Sequence, residues 1–191
     1  MINRRSFIAG IGISLAAAPR EAAAHKPSET FLVDPAYLPQ RVTFPSEHVA
    51  GTIVVDTAGR FLYLVEEPRN ARRYGIGVGR AGLAWSGAAE VGRKAKWPSW
   101  TPTANMIRRE PRKYAKYANG VPGGPSNPLG SRALYLYRNG RDTYYRIHGT
   151  TEPWTIGKAV SNGCIRMINE HVEDLYERVP VGVTVVVVHG L

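Results

Sequence analysis

The chain holds a single cysteine, Cys164, and His148 stands sixteen positions before it, within the stretch from Tyr144 to Met167. A thiol becomes an effective nucleophile when a base or a positive charge raises its thiolate fraction. His148 closes a strand-like run and is followed by Gly149, which makes it the natural candidate for that base. Ser161, Asn162 and Gly163 form a small, flexible approach to Cys164 that lets backbone N–H groups face a reacting carbonyl. Arg166, two residues on, is a cation that can hold a carboxylate. The chemistry these types suit is attack of a thiolate on a carbonyl carbon. Spacing alone leaves the plainer alternatives open: a lone cysteine as a small core residue, and a strand-end histidine as a satisfied polar group.

The N-terminus gives the thiol a setting. Arg4-Arg5 precede Ser6-Phe7-Ile8, an apolar run reaches Ala18, and small residues follow, so residues 1–24 read as a removable signal peptide. The arginine pair resembles a twin-arginine signal, with Asn3 where that pattern usually has Ser or Thr. An ordinary secretory signal is the alternative. Cleavage after Ala22-Ala23-Ala24 leaves a mature chain beginning near His25. The run from Phe7 to Ala18 is too short to span a bilayer, and no second run of spanning length follows, so no stable membrane span is expected after cleavage. One cysteine cannot form an internal disulfide, and an unpaired thiol in an oxidising compartment invites oxidation, so Cys164 needs a use.

The formal charge is +10, and removing residues 1–24 takes away Arg4, Arg5, Arg20 and Glu21 and leaves +8. A basic exported protein suits anionic wall polymers or lipid head groups. Eight cations lie between Arg93 and Lys116, interleaved with Trp97, Trp100, Tyr114 and Tyr117, a pattern that could bind single-stranded nucleic acid. In an exported protein the expectation is instead a solvated face or a wall-polymer contact, with no nucleic acid partner.

A chain of 191 residues is enough for one well-buried domain. Residues 25–48 contain four prolines and no clear period, and read as an extended pre-domain segment before a domain over 49–191. Thr52–Val55 and Arg60–Val65 read as a hairpin, with a third strand-like run at 72–79. Ala133–Tyr137 and Thr143–His148 form a second hairpin around Asn139-Gly140. Val183–Val188 has the composition of a buried central strand. The one helix expected is in the C-terminal half, where Val172, Leu175, Tyr176 and Val179 share a face behind an Asn169 cap, with Pro180 and Gly182 ending it. Between Gly82 and Ser131 strands are hard to place, and the long stretch reads as the wall or lid of a site. The fold class expected is mainly β with one helix.

The five histidines show no i, i+4 pair, and one cysteine gives no zinc pattern, so no metal site is expected. Glycines 75, 77 and 79 lack the spacing and the following helix of a dinucleotide loop, and no cofactor is expected.

His148-Gly149-Thr150 followed by Ser161-x-Gly163-Cys164-Ile165-Arg166-Met167 resembles the signature of the L,D-transpeptidase family, whose catalytic module is the YkuD domain. The likeness runs in order from about residue 51 to 188 through IVVD, RFLYLV, YGIGVGR, PSWTPTANM and GGPSNPLGSRALYL. The resemblance implies a β-sandwich-like domain with the cysteine in a tunnel under a flap. It implies the tetrapeptide stem of peptidoglycan as substrate, cut between the diamino acid at position three and a terminal D-alanine. Cys164 would be nucleophile, His148 its base, and the Gly149 carbonyl the group orienting the imidazole. Backbone N–H groups at Gly163 and Cys164 would hold the oxyanion. Many members have histidine where this chain has Asn162, so a second imidazole beside the thiol is absent here. Arg166, with Arg132 or Arg80, is a candidate for substrate carboxylates, Ser161 and Asn162 for further substrate contacts, and Trp154 for the pocket mouth. A 3→3 crosslink is the expected product in the periplasm or cell envelope. Hydrolysis, crosslink cleavage, attachment of protein to the wall, and a non-catalytic wall-binding role are the alternatives.

Overall fold

The computed structural model describes residues 31–191 apart from 82 and 84. The expected signal peptide and the start of the pre-domain segment lie outside the described residues. The strands are β1 Gln40–Thr43, β2 Ile53–Asp56, β3 Phe61–Glu67, β4 Asn70–Gly75, β5 Val78–Gly79 and β6 Gly87–Lys96. They continue as β7 Arg132–Arg138, β8 Arg141–His148, β9 Ala159–Ser161, β10 Ile165–Arg166 and β11 Thr184–Val188. The helices are α1 Ala104–Arg109, α2 Pro111–Tyr114 and α3 Asn169–Arg178. The domain is mainly β, as its β-branched and aromatic runs predict.

Nine strands form one sheet in the order β1-β4-β3-β2-β11-β6-β7-β8-β10, and β5 pairs with β9. The all-valine end of β11 lies between β2, to which it runs parallel, and β6, to which it runs antiparallel. A strand buried on both faces reads as a continuous apolar run, as β2 does, while β11 is buried on one face and part-buried on the other, its valines suiting a central strand. The β2–β3 turn is held by the Asp56 carboxylate, which accepts from the N–H groups of Ala58 at 3.0 Å and Gly59 at 2.9 Å. In the β7–β8 turn, Asn139 and Gly140 take φ of 51° and 71°, the two left-handed residues that match strand twist in a two-residue hairpin.

The sheet folds over so that side chains from both halves meet. Ile53, Leu62, Tyr74, Val91, Leu134, Ile147, Met167 and Val185 share one buried cluster with Val172 and Leu175 of α3. Full burial of a Val or Leu side chain stabilises by about 1.5–3 kcal/mol, and these two helix residues hold α3 on the core. Tyr74, also fully enclosed, donates its hydroxyl to Asp174 on α3 at 2.7 Å.

Two expectations are corrected. The ten-residue β6 runs through a stretch where no strand was predicted, because Gly87-Ala88-Ala89-Glu90 lacks β-branched residues and its place between β11 and β7 supplies the pairing instead. Asn169 is not the cap of α3. Ile168 occupies that position, and the Asn169 side-chain oxygen accepts from the Ser131 N–H at 3.1 Å. The pre-domain segment contributes an edge strand, β1 on β4, and Phe44 after it is buried with its ring stacked 4.4 Å from that of Tyr63.

Candidate active site

β8 and β10 run parallel, with Ile147 opposite Ile165 and His148 opposite Arg166. Side chains alternate along a strand, so the two isoleucines, both buried, enter the core while His148 and Arg166 occupy the other face. One step back in register sets Cys164 beside Arg146 on that same face. With strands ~4.8 Å apart and a rise of ~3.3 Å per residue, the Cα atoms of Cys164 and His148 are roughly 8 Å apart. An imidazole and a thiol on one face can meet across that gap.

His148 is buried, and its backbone is clamped on both neighbours: its carbonyl accepts from Met167 N–H at 2.8 Å, and Gly149 N–H donates to Arg132 at 3.0 Å. Nδ1 lies 2.5 Å from the Gly149 carbonyl. A carbonyl only accepts, so Nδ1 carries the proton and Nε2 is left as the basic nitrogen. Burial, and next the Arg166 charge, pull the His148 pKa down to about 3 against the Gly149 hydrogen bond. Burial pushes the Cys164 thiol up, opposed first by the Arg146 backbone N–H and then by the Arg146 and Arg166 charges. Both directions favour a neutral thiol and a neutral imidazole at rest. Cys164 keeps part of its surface open to solvent.

The loop before Cys164 is braced from within. The buried Ser161 hydroxyl donates to the Cys164 carbonyl at 2.6 Å and accepts from Gly163 N–H at 3.1 Å. The Gly163 N–H is therefore engaged, and among the described residues no hydrogen bond is donated by Cys164 N–H. Gly163 has φ of 122°, and a Cβ there would come within 2.9 Å of the Tyr145 ring and 3.0 Å of the Leu83 carbonyl oxygen. Only glycine takes this conformation without strain.

Cys164 and His148 thus share one face at the β8–β10 edge, with Gly149 on the histidine and Ser161 and Gly163 in the loop before the sulfur. Arg166 is adjacent but tied, with Glu152 at 2.6 Å and the Thr155 hydroxyl at 3.4 Å. Arg132 lies 3.7 Å from Glu173, and Arg80 pairs with Glu110. Trp154, in the turn Pro153–Thr155 between these Arg166 partners, is half exposed. Asn162 accepts from Arg80 at 3.0 Å and donates to the Tyr114 hydroxyl at 2.7 Å.

Two residues near the thiol went unread in the sequence. Tyr144 sits in an irregularity of β8, where Tyr135 pairs with Arg146 and Tyr137 with Asp142, and takes a left-handed φ of 62°. Its carbonyl lies 3.8 Å from the Cys164 sulfur. Arg146 makes a two-pronged pair with Asp142 at 2.8 and 2.9 Å and lies 4.4 Å over the Tyr135 ring. An Asp-x-x-x-Arg spacing is about 13 Å in a regular strand, so this pair closes only through the β8 irregularity. The left-handed tyrosine carries no composition signal.

Such a site can attack a carbonyl with sulfur, using Nε2 of His148 to take and return the proton. Among the described residues no group of three or more His, Cys, Asp or Glu could hold a metal ion. The probable L,D-transpeptidase ErfK/SrfK of Escherichia coli K12 is 34% identical over 155 residues, covering 79% of this chain and 48% of that protein. The chain thus spans about half the length of the curated relatives it matches. A crystal structure from Brucella melitensis, described as a probable carnitine operon oxidoreductase, is 57% identical, with a TM-score of 0.56 over 78% of this chain and 92% of that one. L,D-transpeptidase 3 of Mycobacterium tuberculosis shares the fold at 17% identity and a TM-score of 0.50, covering 72% of this chain and 60% of that one. The family description "L,D-transpeptidase catalytic domain" (YkuD) matches residues 50–188, which contain every residue of the site above, and the chain belongs to that family.

Proposed function

We propose that the protein is an L,D-transpeptidase acting on the tetrapeptide stems of peptidoglycan. The observation that carries this reading is the shared face of Cys164 and His148, with Nδ1 committed to the Gly149 carbonyl and Nε2 left for the thiol. His148 takes the Cys164 proton as sulfur bonds to the carbonyl carbon of the residue-three diamino acid. The Cys164 N–H faces the oxyanion. The bond to D-alanine breaks as His148 returns the proton to the leaving amine, and a thioester remains. An amine of a neighbouring stem attacks that thioester, His148 removes its proton, and a 3→3 crosslink forms while sulfur recovers its hydrogen. The Arg146 and Arg166 cations favour the thiolate as it appears.

In the same reading residues 1–24 are a cleaved signal peptide of twin-arginine type, residues 49–191 are the catalytic domain, and the enzyme works in the periplasm. The +8 mature chain suits an anionic wall. Among the described residues no helix is long and apolar enough to cross a membrane. Trp154, half exposed, is assigned to the pocket mouth. Arg166 acts as a charge beside the thiol and through its Glu152 pair rather than as a free carboxylate anchor.

Termination of the same thioester by water is the second reading, favoured by the solvent-open side of Cys164. The oxidoreductase description of the Brucella protein has no counterpart in the glycines of this chain, since Gly75 and Gly79 end β4 and β5 and lead to no helix N-terminus. Incubating the mature protein with defined tetrapeptide muropeptides and identifying products by mass spectrometry tests the proposal. A dimer lighter by one D-alanine supports it, a tripeptide alone supports the hydrolytic reading, and unchanged substrate counts against both.

A further inference from the structure

The segment carrying α1 and α2 is attached to the domain by little apolar burial. No residue of α1 is buried, and Tyr114 is the one buried residue of α2. Among the described residues, two side-chain hydrogen bonds or ion pairs join this segment to the rest of the domain, and they converge on one spot: Tyr114 with Asn162, and Glu110 with Arg80. Arg80 also donates to Asn162, and its backbone N–H donates to the Ser161 carbonyl at 3.1 Å. Guanidinium only donates, so the Asn162 oxygen must face Arg80 and its amide nitrogen must face Tyr114. Both ends of the side chain are committed, one residue before Gly163 and two before the nucleophile. Tyr114 is itself fixed by the Trp100 ring, edge-on at 6.2 Å.

We propose that Asn162 is a positioning residue: gripped by Arg80 on one side and Tyr114 on the other, it fixes the turn that presents the Cys164 N–H to the reacting carbonyl. The inference rests on the acyl-transfer reading for what that N–H does. The grip itself is independent of it. Ser161 braces the loop from inside and the Arg80–Asn162–Tyr114 chain braces it from outside, so losing the outer brace frees the turn without unfolding the core. Asn162 thereby couples the α1–α2 segment to the geometry at sulfur.

Two reactions of Cys164 separate positioning from general support. Acylation by a carbapenem passes through an oxyanion and needs the placed N–H, whereas alkylation by iodoacetamide needs only the thiol. Tyr114→Phe, which removes one hydroxyl, is expected to slow carbapenem acylation by about tenfold, the size of one net hydrogen bond. Alkylation should stay within about twofold. Asn162→Ala should slow acylation at least as much, and the double variant should be no worse than Asn162→Ala alone, because both act through one contact. Amide hydrogen exchange over 161–166, which requires no acylation, should rise several-fold in either variant. Unchanged exchange and acylation in both variants would overturn the proposal. A parallel fall of acylation and alkylation would overturn it too, by showing general loss of structure. Faster exchange in a protein whose wild type resists the carbapenem would uphold the grip and reject the acyl-transfer reading.

Discussion

Replacing Gly163 by alanine adds one methyl group at the turn before the nucleophile, and the cost can be compared with that at Gly140. Gly140 has φ of 71° with nothing within 4 Å of a built Cβ, so alanine there meets only left-handed strain, about 1–2 kcal/mol. Gly163 at φ of 122° lies outside the left-handed basin that L residues visit, a backbone cost of about 1–3 kcal/mol. Its methyl would also press on the Tyr145 ring at 2.9 Å and the Leu83 carbonyl at 3.0 Å, and crowding of this kind costs about 1–3 kcal/mol more. At about 2–4 °C per kcal/mol for a domain of this size, Gly163→Ala should lower the Tm by roughly 4–24 °C, against roughly 2–8 °C for Gly140→Ala. Since a displacement near 1 Å can cost about a hundredfold in rate, Gly163→Ala should lose about that much carbapenem acylation. Gly140→Ala, in a hairpin turn away from the site, should keep its rate. Thermal melts and single-turnover acylation measure both effects. A Gly163→Ala protein as stable as Gly140→Ala, and acylated at the wild-type rate, would refute the reasoning.

Acid should weaken the fold through His148. Its folded pKa is near 3 against an ordinary 6.5, so the unfolded chain binds the proton first as pH falls. The contribution is complete above about pH 6.5 and is lost at about 1.4 kcal/mol per unit between there and the folded value. Urea titrations from pH 7 to 5 should show that slope together with one of the same sign from His171, which burial also lowers, and His148→Gln should reduce it; equal slopes in both proteins would contradict the assignment. The thiol, pushed upward by burial, should alkylate slowly at neutral pH, with a rate still climbing past the ordinary cysteine range. A plateau below pH 7 would instead reveal a preformed ion pair. Asn127 is fully buried, donating to the Val121 and Pro122 carbonyls at 3.0 and 2.9 Å and accepting from Leu129 N–H at 2.9 Å. Asn127→Ala orphans all three groups and should cost about 2–4 kcal/mol in chemical denaturation; a loss below about 1 kcal/mol would show that this loop is held by other contacts.

The sequence was most legible where one physical force acts alone. Burial on both faces wrote β2 as an isoleucine and valine run, a central place between two strands wrote the valines of β11, and the demand for two left-handed residues wrote Asn139-Gly140. The heptad-like spacing of Val172, Leu175 and Val179 wrote α3, although the cap was misplaced because Asn169 is claimed by Ser131, 38 residues away. Where tertiary pairing decides, local composition misleads. Central β6 carries Gly87, Gly92 and five alanine or lysine positions that favour no strand, and it exists because β11 and β7 flank it. The site followed the same division. Cysteine, histidine and glycine announced themselves by type and order, while the partners that tune them, Arg146, Tyr144 and the Tyr114–Asn162 contact, depend on register and on segments 48 residues apart. Arg166 illustrates the limit from the other side: its charge was evident, but its commitment to Glu152 was not.

The most direct test is the intact mass of the protein after brief mixing with a tetrapeptide muropeptide, followed by peptide mapping. The account predicts a covalent adduct on Cys164 equal to the donor less D-alanine, discharged by added amine and absent from Cys164→Ala. Product formation by Cys164→Ala, or an adduct mapped to any other residue, would contradict it.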